Sequence, residues 1–307
     1  MTDDANCGER ALLPETPMPR LAVLRTVICL ATCQALVMLA AVGSGGASAQ
    51  ESHTAFRACI DPGNLPFANN KGEGFENHIA ELFAQKLGLP VTYYAFPQRM
   101  NFIRNTLRYK LPGEDFRCDV VMSVPASYDQ ASATTPYYRS TYALVYPKGK
   151  GLDQVRTGAD LASLPRDQLN RLKIGIYDRS PASEWLVRHE MEAQAKPYQM
   201  MSPDPEQYPG EIIERDLAEG KIDAAIVWGP IAGYYAKRVH NVELAVIPLK
   251  SEPGVKFDYE IAMGVRYGEP EWKARVQKLI DENQAAITAI LREYNVPLVN
   301  ERGELIE

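Results

Sequence analysis

The chain has 307 residues, of which 46% are hydrophobic and 23% are charged, values typical of a folded globular protein with room for two domains. Its formal net charge of −6 offers no basic surface, which argues against a nucleic-acid-binding protein. After residue 50, no apolar stretch reaches the roughly 18 residues that a membrane helix requires, so we expect no membrane span in the mature chain.

The first 49 residues have the pattern of a secretory signal peptide. Basic residues precede an apolar run over 27–42, and small residues follow the run up to Ala49. We therefore expect export to the periplasm with cleavage near Ala49, from a start at Met1 or Met18. An uncleaved membrane anchor at the amino terminus is the alternative, which the shortness of the apolar run disfavours.

The chain after the leader alternates strand and helix patterns, which predicts an α/β protein with a largely parallel sheet covered on both faces. Strand Phe56–Ile60 ends in a turn over 61–64, and apolar residues then recur at helical spacing over 75–87 until Gly88 ends the helix. The other elements predicted for this lobe are the strand Val91–Phe96, a helix through Met100, Ile103 and Leu107, and the strands Cys118–Ser123 and Tyr142–Tyr146.

The same alternation begins again after 147–151, a segment with the composition of a chain crossing. In this part, Ser180 is the predicted N-cap of a helix that begins at Pro181. The remaining predicted elements are the strands Lys173–Tyr177, Asp223–Trp228 and Val242–Leu249, a helix through 212–217, a second crossing at 251–254, the strand Tyr259–Arg266 and a long apolar helical stripe from Trp272 to Tyr294.

Two α/β lobes joined by two hinge crossings predict a clamshell, with lobe 1 at 50–147 and 255–307 and lobe 2 at 148–254. Open α/β sheets bind ligands beyond the carboxyl ends of their strands, and in a clamshell these ends face each other across a cleft. Hinge closure would enclose a ligand in that cleft.

Two cysteines, Cys59 and Cys118, remain after the leader, and the export compartment is oxidising. A disulfide between them would close a loop of about 60 residues and stabilise the fold by roughly 4 kcal/mol if its geometry is unstrained. Two buried free thiols are the alternative. A catalytic thiol is disfavoured, because no histidine stands in a recognisable relationship to either cysteine.

Residues 56–299 resemble the type II periplasmic solute-binding proteins, in the branch related to amino-acid receptors. The segments that carry this resemblance occur in the family's order, and the resemblance implies the two-lobed clamshell fold. They are Gly74-Phe75-Glu76, Asp119-Val120-Val121-Met122, Thr135-Pro136-Tyr137-Tyr138, Lys173-Ile174-Gly175-Ile176 and Gly220-Lys221-Ile222-Asp223-Ala224-Ala225-Ile226.

Two departures from that family argue against amino-acid binding. Amino-acid receptors grip the ligand carboxylate with an arginine after the third strand, helped by backbone amides at a helix start. The corresponding turn over 123–130 contains no arginine and carries Asp129 near the position of the missing cation. In the second lobe, the acid that pairs with the ligand ammonium is replaced by Trp228-Gly229-Pro230.

Eight further segments, in order along the chain, are Asp61–Phe67, Gly72–Asn77, Phe96–Arg99, Asn105–Arg108, Ser123–Asp129, Pro136–Tyr142, Val227–Tyr234 and Tyr294–Leu298. Together they resemble the quinoprotein dehydrogenase-associated substrate-binding proteins, the J component of methanol oxidation systems (MxaJ/XoxJ type). The pair Cys59 and Cys118 also fits that pattern. The resemblance implies a periplasmic accessory protein that acts beside a pyrroloquinoline quinone (PQQ)-dependent alcohol dehydrogenase and its cytochrome c.

Candidate cleft residues come from the strand ends and from the aromatic side chains near them. Asp61 and Asn64 follow the first strand, where turn capping is the alternative role, and Arg99 could meet an anion or be a solvated residue at a helix start. The aromatic residues favour an apolar ligand or a segment of a partner protein, with core packing as the alternative. The full predicted set is Asp61, Asn64, Phe67, Glu76, Phe96, Arg99, Ser123, Pro125, Tyr128, Arg179, Ser180 and Trp228.

The histidines and acidic residues have no metal-ligand spacing, and no convergent acid–base pair is present, so we expect no metal, cofactor or catalytic residue. The predicted function is a non-catalytic accessory protein of a PQQ-dependent methanol or alcohol dehydrogenase that binds the dehydrogenase or a small ligand in the cleft. The alternative is the substrate-binding protein of an ABC importer for a small solute other than an amino acid. An enzyme on the same scaffold ranks third.

Overall fold

The computed structural model describes residues 53–98, 101–200 and 207–306, and the predicted signal peptide lies outside these ranges. The elements up to the middle of the chain are β1 Phe56–Ile60, β2 Gly63–Asn64, β3 Ala68–Asn69, α1 Phe75–Leu87, β4 Val91–Ala95, α2 Phe102–Asn105, β5 Val120–Pro125, β6 Ser132–Ala133 and β7 Tyr138–Pro147. They continue with α3 Gly158–Ala162, α4 Arg166–Leu169, β8 Ile174–Tyr177, α5 Pro181–Arg188, a 3-10 helix at Glu192–Gln194, β9 Ala195–Tyr198, a π-helix at Ile212–Leu217, β10 Ala224–Trp228, α6 Gly229–Arg238, β11 Leu244–Pro248, β12 Asp258–Val265 and α7 Pro270–Glu293.

One continuous sheet has the strand order β4-β1-β5-β12-β7-β10-β8-β9, with β6 beside β12 and β11 beside β7. The outer strands are parallel: β1 pairs with β4 and β5, and β8 pairs with β9 and β10. The central strands β7 and β12 are antiparallel to their neighbours. The α/β clamshell class is confirmed, but the sheet is less parallel at its centre than the sequence predicted.

Strand β7 joins the two halves of this sheet. Its residues 138–141 pair with β12, whereas from Tyr142 onward it pairs with β10 and β11. A single strand therefore belongs to both lobes, and its neighbour β12 begins beside it. The lobe boundaries after residues 147 and 254 stay predictions.

Helices cover both faces of the sheet, as the sequence predicts. Helices α1 and α7 pack on one face of the first half, around Phe56, Phe75 and Met263. The long helix α7 buries Trp272 and Ile287 in this core, so its apolar stripe packs inside the protein. In the ranges 53–98, 101–200 and 207–306, no helix combines the length and the apolar character needed to cross a membrane.

A buried cluster of charged side chains lies where β5 begins, in the first half of the sheet. The side chain of Asp119, fully buried just before β5, accepts hydrogen bonds from Arg57 Nε at 2.6 Å and from Arg266 Nη2 at 2.6 Å. His53 Nδ1 lies 3.2 Å from the same carboxylate. Burial by itself would raise the pKa of Asp119, but the hydrogen bonds from His53, Arg57 and Arg266 outweigh it and lower the pKa to about 2. Asp119, part of the family motif, thus has a structural role.

Candidate functional site

A cavity of about 560 Å³ lies where strands from both halves of the sheet end. Asp61 follows β1, Pro125 ends β5, Tyr177 ends β8 and Trp228 ends β10, and all four line the cavity. This is the position in which open α/β sheets bind ligands. The cavity is therefore the candidate site, and its volume suits a small molecule or a few side chains of a protein segment.

Most of the predicted cleft residues line this cavity, and as ligand contacts they stay predictions. The lining residues among them are Asp61, Asn64, Phe67, Glu76, Ser123, Pro125 and Trp228. Phe96, Tyr128, Arg179 and Ser180 are not among the described residues that line it, and Arg99 lies outside the described residues.

The predicted residues away from the cavity have other surroundings. The side chain of Arg179 is 89% exposed, its backbone is left-handed at φ 56°, and its Nη2 lies 3.6 Å from Asp178. Ser180 precedes α5 as predicted, but its side chain makes no capping hydrogen bond. Tyr128 packs against the cluster around the disulfide. The backbone amide of Phe96 donates to Ile60 O at 2.9 Å, which extends the pairing of β4 with β1.

The first turn of α1 brings Glu76 to the cavity. Gly74 lies so close to the preceding loop that a Cβ there would stand 2.1 Å from Phe67 O. The Phe75 amide donates to Pro66 O at 2.9 Å and the Glu76 amide to Phe67 O at 2.8 Å. Because the loop satisfies these amides, this helix start is not available to hold a ligand carboxylate.

The turn after β1 is fixed by its own side chains. Asp61 accepts hydrogen bonds from the Gly63 amide at 3.0 Å and from the Gln98 amide at 2.6 Å. Asn64 Nδ2 donates to Gln98 Oε1 at 3.0 Å. Asp61 therefore makes the contacts expected of a residue that caps a turn, and it also lines the cavity.

Glu76 is the buried acid of the cavity, with 7% of its surface exposed. Burial raises the pKa of its carboxyl to about 7; a hydrogen bond from Ser123 opposes this shift and the charge of Asp61 adds to it. Near neutral pH, Glu76 is therefore divided between its protonated and ionised forms. A ligand's charge can decide between the two.

Two adjacent tyrosines at the start of β7 lie beside Glu76 and Ser123. Tyr137 Oη donates to Met122 O at 2.9 Å and lies 3.3 Å from Ser123 Oγ. Tyr138 lines the cavity and is 7% exposed; Ser123 lies near enough to its Oη to oppose the rise of its pKa that burial causes, but the Oη makes no hydrogen bond of full geometry with the described residues. Since a buried hydroxyl without a partner costs about 1–3 kcal/mol, a molecule that supplies the partner is favoured.

Three aromatic rings form one wall of the cavity. The ring centroids are 5.4 Å apart for Tyr142 and Trp228, 5.9 Å for Trp228 and Tyr259, and 6.5 Å for Tyr142 and Tyr259. Sequence reasoning missed Tyr259, because the antiparallel register that sets it opposite Ser140 is not visible in one sequence. It also missed Tyr177, although the strand-end argument applied to Asp61 would have found it.

The charged residues in the described lining of the cavity are all acidic. Its described lining residues include the acids Asp61 and Glu76 but no lysine, arginine or histidine. Asp129, which the sequence placed near the missing cation, is exposed and does not line the cavity. The repulsion expected for a ligand carboxylate therefore comes from Asp61 and Glu76 and not from Asp129.

The predicted disulfide between Cys59 and Cys118 is confirmed, with Cα atoms 5.3 Å apart, and the alternative of free thiols is wrong. Cys59 also borders the cavity, and the bond joins β1 to the residue two positions before β5 begins. Within 53–98, 101–200 and 207–306, no three His, Cys, Asp or Glu side chains are grouped so that they could hold a metal ion.

No family model matches the chain, but individual proteins are similar to it. The structure is similar to periplasmic binding protein XoxJ from Methylobacterium extorquens AM1, at 37% identity and a TM-score of 0.64, over 80% of this chain and 100% of XoxJ. It is similar to MxaJ from Methlophaga aminisulfidivorans MPT, at 22% identity and a TM-score of 0.65, over 80% of this chain and 100% of MxaJ.

Among curated relatives, Protein MoxJ of Paracoccus denitrificans is 24% identical over 259 residues, which covers 80% of this chain and 90% of MoxJ. The likeness to MxaJ supports the fold, whereas the identity with XoxJ over its whole length also shows common family membership. The chain therefore belongs to the family of XoxJ, MoxJ and MxaJ, periplasmic binding proteins with the two-lobed type II fold.

Proposed function

We propose that this protein is a non-catalytic periplasmic accessory protein of a PQQ-dependent methanol or alcohol dehydrogenase. The observation that carries the proposal is the 37% identity with XoxJ over the full length of that protein. The resemblance of this chain to the J component of methanol oxidation systems supplies the partner class. The partner is the dehydrogenase, and its cytochrome c is a second partner. Export with cleavage near Ala49 and closure of the lobes around the cleft are parts of the same proposal.

The cavity supports a role different from that of an amino-acid receptor. Its described lining lacks a cation for a carboxylate, and the start of α1 is occupied by the loop carbonyls of Pro66 and Phe67. Its aromatic wall of Tyr142, Trp228 and Tyr259 is suited to side chains of a protein segment or to a small apolar ligand. We propose that this cavity makes the functional contact.

Mixing the purified protein with the purified dehydrogenase tests the proposal. The expected results are co-elution in size-exclusion chromatography and a change in the rate of dye-coupled alcohol oxidation. Trp228→Ala should weaken both effects, because it removes one of the three rings of the aromatic wall. Val187→Ala is the control, since Val187 is 58% exposed on α5 and does not line the cavity. If the wild-type protein neither co-elutes with the dehydrogenase nor changes its rate, the accessory role is refuted.

The second candidate is a substrate-binding protein of an ABC importer for a small solute other than an amino acid. The position of the cavity, where strands of both halves of the sheet end, favours it, because transport receptors of this fold hold their ligands in the same place. A thermal-shift screen that finds a ligand with Kd below about 1 µM, together with no effect on the dehydrogenase, would establish this alternative.

A further inference from the structure

We propose that the cavity binds an alkylammonium group that carries no carboxylate, with its charge on Glu76 and its carbon chain against the aromatic wall. The group could come from a free amine or from a lysine side chain, which present the same chemistry. This inference names the ligand class of the site and rests on the cavity being the functional site proposed above. Its test uses the isolated protein, so its failure is separate from failure to bind the dehydrogenase.

The oxygen atoms at one end of the cavity can accept the hydrogen bonds of an ammonium group. An ammonium group has three N–H donors and no acceptor. Glu76, Ser123 and Tyr138 all line the cavity; Tyr138 is 7% exposed, and its Oη, near Ser123, makes no hydrogen bond of full geometry with the described residues. Ser123 Oγ donates at most one proton, to Glu76 or to Tyr137, so it keeps lone pairs for a ligand.

The charges of the described lining residues disfavour an anionic ligand. Asp61 and Glu76 place negative charge in the cavity, and no described lining residue supplies a positive charge. A carboxylate or phosphate would be desolvated there without a cation to pair with. A cation gains a partner in Glu76 and is further favoured by the nearby charge of Asp61.

The aromatic wall suits the carbon chain of the ligand, because apolar atoms that pack against the rings are removed from water. A cation nearby is compatible with the wall, since Lys256 Nζ lies 5.2 Å from the Tyr259 centroid, although Lys256 is exposed and does not line the cavity. Trp228 and Tyr142, whose centroids are 5.4 Å apart, offer the remaining ring surface to the chain that carries the ammonium.

Binding should release a proton near neutral pH. Ser123 on β5 donates a hydrogen bond to Glu76, and the titratable groups near Glu76 are Asp61 after β1 and Tyr137 and Tyr138 at the start of β7. Burial raises the pKa values of both tyrosines well above their ordinary range, so they stay neutral. Glu76, with a pKa of about 7, is the group that an incoming cation ionises.

Isothermal titration of the purified protein with n-butylammonium and with butan-1-ol tests the proposal. We expect butylammonium to bind at least about tenfold more tightly than the alcohol, a preference that corresponds to one charge-assisted hydrogen bond. Its affinity should rise about tenfold from pH 6 to pH 8, as Glu76 with its pKa of about 7 ionises. The acetylated methylamides of lysine and norleucine, titrated in the same way, show whether a peptide-borne ammonium binds better than the free amine.

Two variants separate the site from a general charge effect. Glu76→Gln should abolish the preference for butylammonium, whereas Glu81→Gln, an exposed residue of the same helix outside the cavity, should retain it. Tyr138→Phe removes only an oxygen and should weaken the binding of butylammonium more than the binding of butan-1-ol. This variant keeps the test decisive if Glu76→Gln does not fold. Equal binding of amine and alcohol by the wild type, no binding of any cation, or an unchanged preference in Glu76→Gln would overturn the proposal.

Discussion

Tyr142 on β7 and Trp228 on β10 are paired across antiparallel strands, and their ring centroids are 5.4 Å apart at the wall of the cavity. Tyr142 is the residue at which β7 changes its partner from β12 to β10. The aromatic wall thus lies where the two halves of the sheet meet. A ligand on these rings would contact strands from both halves of the sheet.

Trp228→Ala should reduce the affinity for the dehydrogenase by at least about tenfold, because buried aromatic side chains supply much of the binding free energy of an interface. The protein should still fold, since Trp228 is only partly buried. Biolayer interferometry with immobilised dehydrogenase measures the affinity, and circular dichroism checks the fold. Unchanged affinity in a folded variant would remove the cavity from the interface.

Glu76 should make the protein less stable as pH rises. Its pKa is about 7 in the folded protein and 4.5 as its ordinary value, so the folded state binds more protons between these pH values. Stability from this group therefore falls by about 3 kcal/mol between pH 4.5 and pH 7.5.

Glu76→Gln should remove this dependence, so its stability advantage over the wild type should be larger at pH 8 than at pH 5. Urea unfolding at both pH values measures the difference in the free energy of unfolding. The control Glu81→Gln should follow the wild type, because Glu81 is exposed. A constant stability difference between Glu76→Gln and the wild type would contradict the buried-acid account.

Asp119→Asn should destabilise the fold by about 3–5 kcal/mol at pH 7, because it leaves Arg266 and Arg57 without their buried carboxylate. The folded pKa of about 2 lies below the ordinary 3.8, so wild-type stability from this group is present above pH 4 and is lost as pH falls toward 2. Asp167→Asn, which breaks an exposed pair with Arg171, should cost less than about 0.5 kcal/mol. Equal unfolding free energies for the two variants would refute the structural role of Asp119.

Reduction of the Cys59–Cys118 disulfide should lower the free energy of unfolding by about 2–4 kcal/mol, since the bond closes a loop across 59 positions. Urea unfolding with and without reductant measures the change. The double variant Cys59→Ala/Cys118→Ala should be insensitive to reductant. A wild-type protein that responds no more than the double variant would show that the disulfide contributes nothing.

Local patterns in the sequence predict several elements to the residue. The apolar strand Phe56–Ile60 has its predicted bounds, and α1 ends where Gly88 adopts a left-handed φ of 64°. The strand ends also predict the cavity residues Asp61 and Trp228, because the carboxyl ends of parallel strands share one edge. These features depend on short-range periodicity and glycine chemistry, which a single sequence displays.

Features that depend on pairing between distant strands were not predicted. Strand β7 begins at Tyr138 and not near Tyr142, since its first residues pair with β12, more than a hundred residues later in the chain. The same pairing brings Tyr259 to the cavity. The exposure of the Arg179 side chain was not predicted either. Its backbone is left-handed, a conformation that is uncommon outside glycine and has no signal in the sequence.

Fluorine NMR of the protein labelled with 5-fluorotryptophan tests the central claim most directly. The chain has three tryptophans; Trp185 and Trp272 are 2% and 4% exposed in the cores, and Trp228 lines the cavity. The variant Trp228→Phe assigns its resonance. On addition of unlabelled PQQ-dependent dehydrogenase, we predict that the Trp228 resonance changes its chemical shift while the other two keep theirs. If the dehydrogenase leaves the Trp228 resonance unchanged, the cavity is not where this protein meets its partner.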